Sequence, residues 1–159
     1  MRSTETVNTQ KKILLTAVNA KFIHTCPAVY SLKAYWEKQK DSGAAVAVAE
    51  YTINDRYGDV LSGILSHPAD VIAFSVYIWN TDRVRRLIRD IRKIRGKTVQ
   101  IWVGGPEATY YPERFLKEDG ADVCMRGKGR RSLRRWLLRK SRKRFLISRG
   151  SPGYRKAVS

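Results

Sequence analysis

Five short apolar runs, separated by segments of helical periodicity, constrain this chain more than any other feature. The clearest is Val71-Ile72-Ala73-Phe74-Ser75-Val76. It shows no polar alternation, as expected of a strand covered on both faces. Ile13 to Val18, Ala45 to Glu50, Val99 to Val103 and Ala121 to Met125 read as the other strands. Between them, apolar residues recur at helical spacing. Pro27 suits a first helical position, followed by Val29, Leu32 and Trp36, with Gly43 as the stop. Asn54 or Asp55 is expected to cap a second helix carrying Val60, Leu61, Ile64 and Leu65, broken by Pro68-Ala69-Asp70. Thr81-Asp82 starts a third with Val84, Leu87, Ile88 and Ile91 inward and Arg83, Arg85, Arg86, Arg89 and Arg92 towards water, ending at Gly96. Pro112 opens a short helix through Phe115 and Leu116.

Alternating strands and helices predict an α/β fold with a doubly wound five-stranded parallel sheet. The expected order is the flavodoxin-like 2-1-3-4-5. Its switch point lies between strands one and three, where ligands bind at carboxyl ends. Four loops converge there: Asn19 to His24, Tyr77 to Asn80, Gly104 to Tyr110, and Gly127 to Gly129. Gly104-Gly105 is the sharpest signal, because two residues without Cβ allow a ligand to reach backbone. Ser75 places a hydroxyl in an apolar strand, and a buried hydroxyl needs a partner. A ligand or a neighbouring carbonyl would both serve. Tyr77, Trp79 and Asn80 are pocket wall or ordinary packing. Lys21 suits a phosphate, and His24 suits a metal, a cofactor tail or simple packing.

The net charge of +18 hides a sharp division. Residues 1–125 hold 18 Lys/Arg and all 14 Asp/Glu, whereas residues 126–159 hold 14 Lys/Arg and no acid. The expected organisation is a polar extension over 1–10, a folded domain over 11–129 and a basic tail over 130–159. The tail has two readings. One is a basic helix over roughly 130–146, with Leu133, Trp136 and Leu137 on one face, suited to polyanions. The other is a shifted reading frame, since slipping one base turns GA-rich Glu codons into Arg and Lys codons. Cys26 and Cys124 have no metal-ligand spacing and suit a reducing cytoplasm. No apolar run approaches the roughly 20 residues of a membrane span.

Four segments in order, ILLTAVNAKFIH, DVIAFSVYIWN, IWVGGPEATYYPE and ADVCMRGKG, resemble the cobalamin-binding domain at the front of cobalamin-dependent radical S-adenosylmethionine enzymes. The resemblance covers residues 11–131. It implies a Rossmann-like sheet with cobalamin over the carboxyl ends of the strands and its nucleotide tail in a slot beside the sheet. By that likeness Ser75 bonds the tail, and Gly104 and Gly105 leave room for it. The loop Pro106, Glu107, Ala108, Thr109 to Tyr110 lines the tail or rim. The other implied contacts are Asn19, Ala20, Lys21, Val76, Tyr77, Trp79, Asn80, Gly127 and Gly129. Classical corrinoid carriers ligate cobalt through the His of DxHxxG. Here Phe22 stands for the Asp and Pro27 for the Gly, so His24 is not assigned to cobalt. The family's usual GEGE-type turn is replaced by Gly127-Lys128-Gly129-Arg130. No CxxxCxxC motif is present, so an iron–sulfur cluster and S-adenosylmethionine enter only through a separate domain or partner.

The expected function is therefore a cobalamin-binding module of a radical enzyme, such as a methyltransferase or an anaerobic magnesium-porphyrin cyclase. The alternatives are a flavodoxin-like flavin carrier, a nucleic-acid binder acting through the tail, and an inactive remnant. The loop after strand one lacks a Ser/Thr/Gly-rich phosphate cradle, which counts against the flavin. A phospho-receiver would need Asp where Ser75-Val76-Tyr77 stands.

Overall fold

The computed structural model describes residues 10–38, 43–126 and 145–147. The strands are β1 (Lys11–Asn19), β2 (Ala44–Thr52), β3 (Val71–Ser75), β4 (Gln100–Gly104), β5 (Val123–Met125) and β6 (Phe145–Ile147). The helices are α1 (Pro27–Glu37), α2 (Tyr57–Ser66), α3 (Thr81–Arg95) and α4 (Pro106–Tyr110), with a π-helical turn over Arg114–Glu118. All strand pairs are parallel, in the order β2-β1-β3-β4-β5-β6. The predicted 2-1-3-4-5 sheet is present, and β6 extends it. Phe145 and Leu146, expected in or beside a basic helix, belong instead to a strand paired with β5. The tail helix proper, Gly127 and Gly129 lie outside the described residues.

The period-two direction of strand side chains separates two cores. Leu14, Val18, Ile72, Phe74, Ile101, Val103 and Cys124 meet α2, α3, α4 and the π turn on one face. Ile13, Leu15, Ala17, Val71, Ala73, Trp102, Val123 and Met125 lie on the other, under Val29 and Trp36 of α1. In α3, Val84, Leu87, Ile88 and Ile91 are fully buried. Burying each aliphatic side chain stabilises the fold by about 1.5–3 kcal/mol.

Several local expectations are corrected. Asp55 does not cap α2; the residue before the helix is Arg56. The Asp55 carboxylate instead accepts the Thr52 N–H at 2.7 Å and closes the turn after β2. The α3 arginines do not all face water. Arg85 and Arg89 both bond the buried carboxylate of Asp119, at 2.6 and 2.9 Å. Arg92 bonds Asp122 and the carbonyls of Gly120, Gly96 and Val99. These guanidinium groups fasten α3 to the segment entering β5. The residues after Gly105 are not a loop, because Pro106, with its φ preset for a helix start, opens α4. Pro112 leads only into the π turn. Val76, Val99, Ala121 and Asp122 fall outside the strands, whereas Gly104 is the last residue of β4.

Candidate functional site

The chain leaves β1 towards β2 on one side and β3 towards β4 on the other. The loops after β1 and β3 therefore diverge and open a crevice at the carboxyl edge. Asn80 builds this switch point. Its side-chain oxygen accepts the Tyr77 N–H at 2.9 Å, and its amide nitrogen donates to the carbonyls of Val18 at 2.9 Å and Ser75 at 3.1 Å. Every bond of this buried side chain goes to backbone, so Asn80 is the staple between β1 and β3. Trp79 donates its indole N–H to the Val18 carbonyl and stacks on Tyr77, with ring centroids 4.6 Å apart.

Beside this crevice, between α1 and the carboxyl half of the sheet, lies a cavity of about 500 Å³. Ala73 and Ser75 from β3 and Gly104 and Gly105 at the end of β4 contribute small residues to its lining. Leu15, Val29, Leu32 and Met125 are apolar walls, and Pro27, Ala28 and Ser31 come from the first turns of α1. Phe74 and Tyr77 complete the lining. Thus Ser75, Tyr77, Gly104 and Gly105 are brought together as expected. The α1 contribution was not read from the sequence, although Pro27 marking a helix directly above the sheet was its signal.

The two glycines differ in kind. At Gly105 the backbone has φ +107, and a Cβ would lie 2.4 Å from the Val76 carbonyl oxygen and 2.9 Å from its nitrogen. Glycine is required there by the approach of two chain segments, whatever fills the cavity that Gly105 also lines. At Gly104 the three atoms nearest to a Cβ would all belong to Met125, the first at 3.5 Å, an ordinary van der Waals contact. Its missing side chain widens the cavity without being needed by the fold.

The remaining expected residues sit elsewhere. Val76 and Ala108 are fully buried in the core on the α3 side. Thr109 donates its hydroxyl to the Gly105 carbonyl at 2.9 Å, while Pro106 is exposed and Glu107 half-buried. Ala20 is half-buried, and Lys21 and His24 are exposed in the β1–α1 loop, where the His24 N–H closes a turn onto the Lys21 carbonyl. Asn19 turns to Glu50, a residue not singled out from sequence. Glu50 accepts from Asn19 Nδ2 at 3.1 Å, from the Cys26 N–H at 2.8 Å and from the Tyr30 hydroxyl at 2.7 Å. Burial opposes ionisation of Glu50, but these three donors outweigh it and hold its carboxyl below the ordinary value. The Cys26 thiol bonds the Ser75 hydroxyl at 3.7 Å, and burial raises the Tyr77 phenol beside it. Among the described residues, no group of three or more His, Cys, Asp or Glu is placed to hold a metal ion.

Residues 13–137 match the B12 binding domain family. The chain belongs to that family. No curated protein sequence matches this B12 binding domain. Among solved structures, it is similar to the radical S-adenosylmethionine methyltransferase TsrM from Kitasatospora setae, solved with tryptophan substrate and a S-adenosylmethionine analogue. The identity is 16% and the TM-score 0.62, over 80% of this chain and 25% of that one. It is also similar to a cobalamin-binding protein from Desulfitobacterium hafniense DCB-2, with 17% identity and TM-score 0.55 over 81% and 60% of the two chains. A third similarity is to a sensor protein from Polaromonas sp. JS666, with 16% identity and TM-score 0.56 over 81% and 93%. The B12 binding domain thus spans a quarter of the length of TsrM.

Proposed function

We propose that this B12 binding domain holds cobalamin at the carboxyl edge of its sheet and presents it to a radical S-adenosylmethionine domain or partner chain. The observation carrying this reading is the cavity beside the sheet, with small residues from β3 and β4 in its lining. Its volume lies in the range of small-molecule sites, and its lining is mostly apolar with few hydroxyls, which fits the nucleotide tail of a corrinoid. The carboxyl edge around it exposes large apolar side chains. Phe22, Ile23, Ile78, Trp79, Tyr110 and Tyr111 are all exposed there, at 47–90% of their full surface. Such a surface suits the broad face of a macrocycle.

In this reading Ser75 donates to the tail, Gly104 leaves room for it and Tyr77 walls it. Lys21 and the residues around Glu107 stand at the rim. Bound cobalamin would supply methyl-carrier or redox chemistry, as cofactors do. The chain's own residues bind it, orient it and shield its tail from water. A flavin is disfavoured, because the loop from Ala20 to Thr25 offers no Ser/Thr/Gly-rich phosphate cradle. The experiment is a titration of the full chain with hydroxocobalamin, followed by gel filtration and a visible spectrum. Stoichiometric retained corrinoid is expected. No retained corrinoid in a chain that circular dichroism shows to be folded would overturn the reading.

A further inference from the structure

Glu50 lies at the carboxyl end of β2 and belongs to no part of the cavity lining. Its carboxylate nevertheless gathers three donors that the sequence spreads widely: Asn19 ends β1, Cys26 immediately precedes α1, and Tyr30 lies in the first turns of α1. The segment between the first two, Ala20 to Thr25, is mostly exposed and carries Phe22 and Ile23 outward. One side chain therefore closes the β1–α1 loop and fixes where α1 begins. The first turns of α1 supply Pro27, Ala28, Val29, Ser31 and Leu32 to the cavity. No side-chain hydrogen bond caps α1 itself. The placement of that wall thus rests on its apolar contacts, on the Glu50 bonds, on the Cys26 thiol bond to Ser75 and, at the far end of the helix, on the Trp36 indole N–H donated to the Ala44 carbonyl.

We infer that Glu50 is a positioning residue for the binding site, holding the α1 wall and the β1–α1 loop over the carboxyl edge so that bound corrinoid is retained. This rests on the cobalamin reading above. Glu50 touches no reacting group. It acts on the lifetime of the complex, because opening of the loop and the first turn of α1 exposes the cavity. Local opening of this kind is governed by the few bonds that close a segment, not by global stability. Loss of a hydrogen bond to a charged group makes local opening at least tenfold more frequent, which corresponds to about 1.4 kcal/mol.

The test compares wild type, Glu50→Ala, Glu50→Gln and Tyr30→Phe as full chains loaded with hydroxocobalamin. Corrinoid release after dilution is followed by gel filtration and absorbance, and amide hydrogen exchange is followed over residues 20–32. Glu50→Ala is expected to release corrinoid at least tenfold faster and to exchange faster over 20–32, with unchanged exchange in β3 and β4. Glu50→Gln, which keeps an acceptor for the Cys26 N–H, is expected to recover most of the retention. Tyr30→Phe falls between wild type and Glu50→Ala. Equal release from Glu50→Ala and wild type overturns the inference. So does faster release accompanied by uniformly faster exchange throughout the sheet, because Glu50 would then serve only the global fold. If wild type retains no corrinoid, the cobalamin reading is what fails. The exchange over 20–32 still decides whether Glu50 holds the loop.

Discussion

Replacing each glycine of the Gly104-Gly105 pair with alanine separates what the fold needs from what the site needs. At Gly105 the backbone φ of +107 is one that L side chains rarely adopt. Holding alanine there costs about 1–3 kcal/mol. The added Cβ would also lie 2.4 Å from the Val76 oxygen and 2.9 Å from the Val76 nitrogen, and neither belongs to a flexible side chain. Relief requires Val76 to move, which loosens its N–H bond to the Gly104 carbonyl, now 2.7 Å, and the Glu107 N–H bond to its own carbonyl, now 3.4 Å. Each such bond contributes about 1 kcal/mol. Gly105→Ala should therefore lose about 3–5 kcal/mol, much of a typical domain's stability. Gly104→Ala has ordinary contacts, 3.5 Å from Met125, in a strand backbone. It should be neutral or gain about 0.5 kcal/mol by restricting the unfolded chain. Urea denaturation followed by circular dichroism reads both. Unfolding free energies for the two variants within about 0.5 kcal/mol of each other, the scale of an unremarkable substitution, would refute the reasoning.

Asn80→Ala should cost about 2–3 kcal/mol in the same assay, because it leaves the Tyr77 N–H without its acceptor and the Val18 and Ser75 carbonyls without its two donors. Ser75→Ala should leave stability within about 0.5 kcal/mol of wild type, yet release corrinoid roughly fivefold faster, in line with one lost hydrogen bond. Burial pushes the Cys124 thiol from 9.0 up to about 12, and its S–H donates to the Ala108 carbonyl. Between those values the unfolded chain gives up this proton while the folded chain keeps it, so stability falls as pH rises through that window. Cys124→Ala should flatten the alkaline loss in urea titrations at a series of pH values, and an unchanged slope would count against it.

The sheet was legible because its signal is long-range in composition. Five apolar runs at regular spacing leave few topologies once right-handed crossovers are imposed. The run from Val71 announces a doubly covered strand without any knowledge of its neighbours. The site was legible only where strand ends carry it. Ser75 and Gly104 stand at the carboxyl ends of adjacent paired strands, in register with each other. The fold's own need for glycine at Gly105 was not legible, since the approach of Val76 depends on how two loops cross and leaves no local pattern. Asn80 resembles a ligand contact in sequence because a buried amide serves a backbone staple or a ligand equally well. Glu50 was missed because its three partners lie 20 to 31 residues away, and only the fold brings them together. The α3 arginines were misplaced for the same reason. Helical spacing shows which face of α3 is polar, and not that Asp119 and Asp122 come to meet it.

We propose above all that the cavity under α1 receives the nucleotide tail of the corrinoid. The most direct measurement is the retention of cobalamin against cobinamide, which lacks that tail, by wild type and by Gly104→Val. Wild type should retain cobalamin at least tenfold better than cobinamide. Gly104→Val, with a branched side chain filling the cavity, should bring cobalamin down to the cobinamide level while remaining folded. Equal retention of the two corrinoids by wild type, or undiminished cobalamin retention by a folded Gly104→Val, would contradict the account.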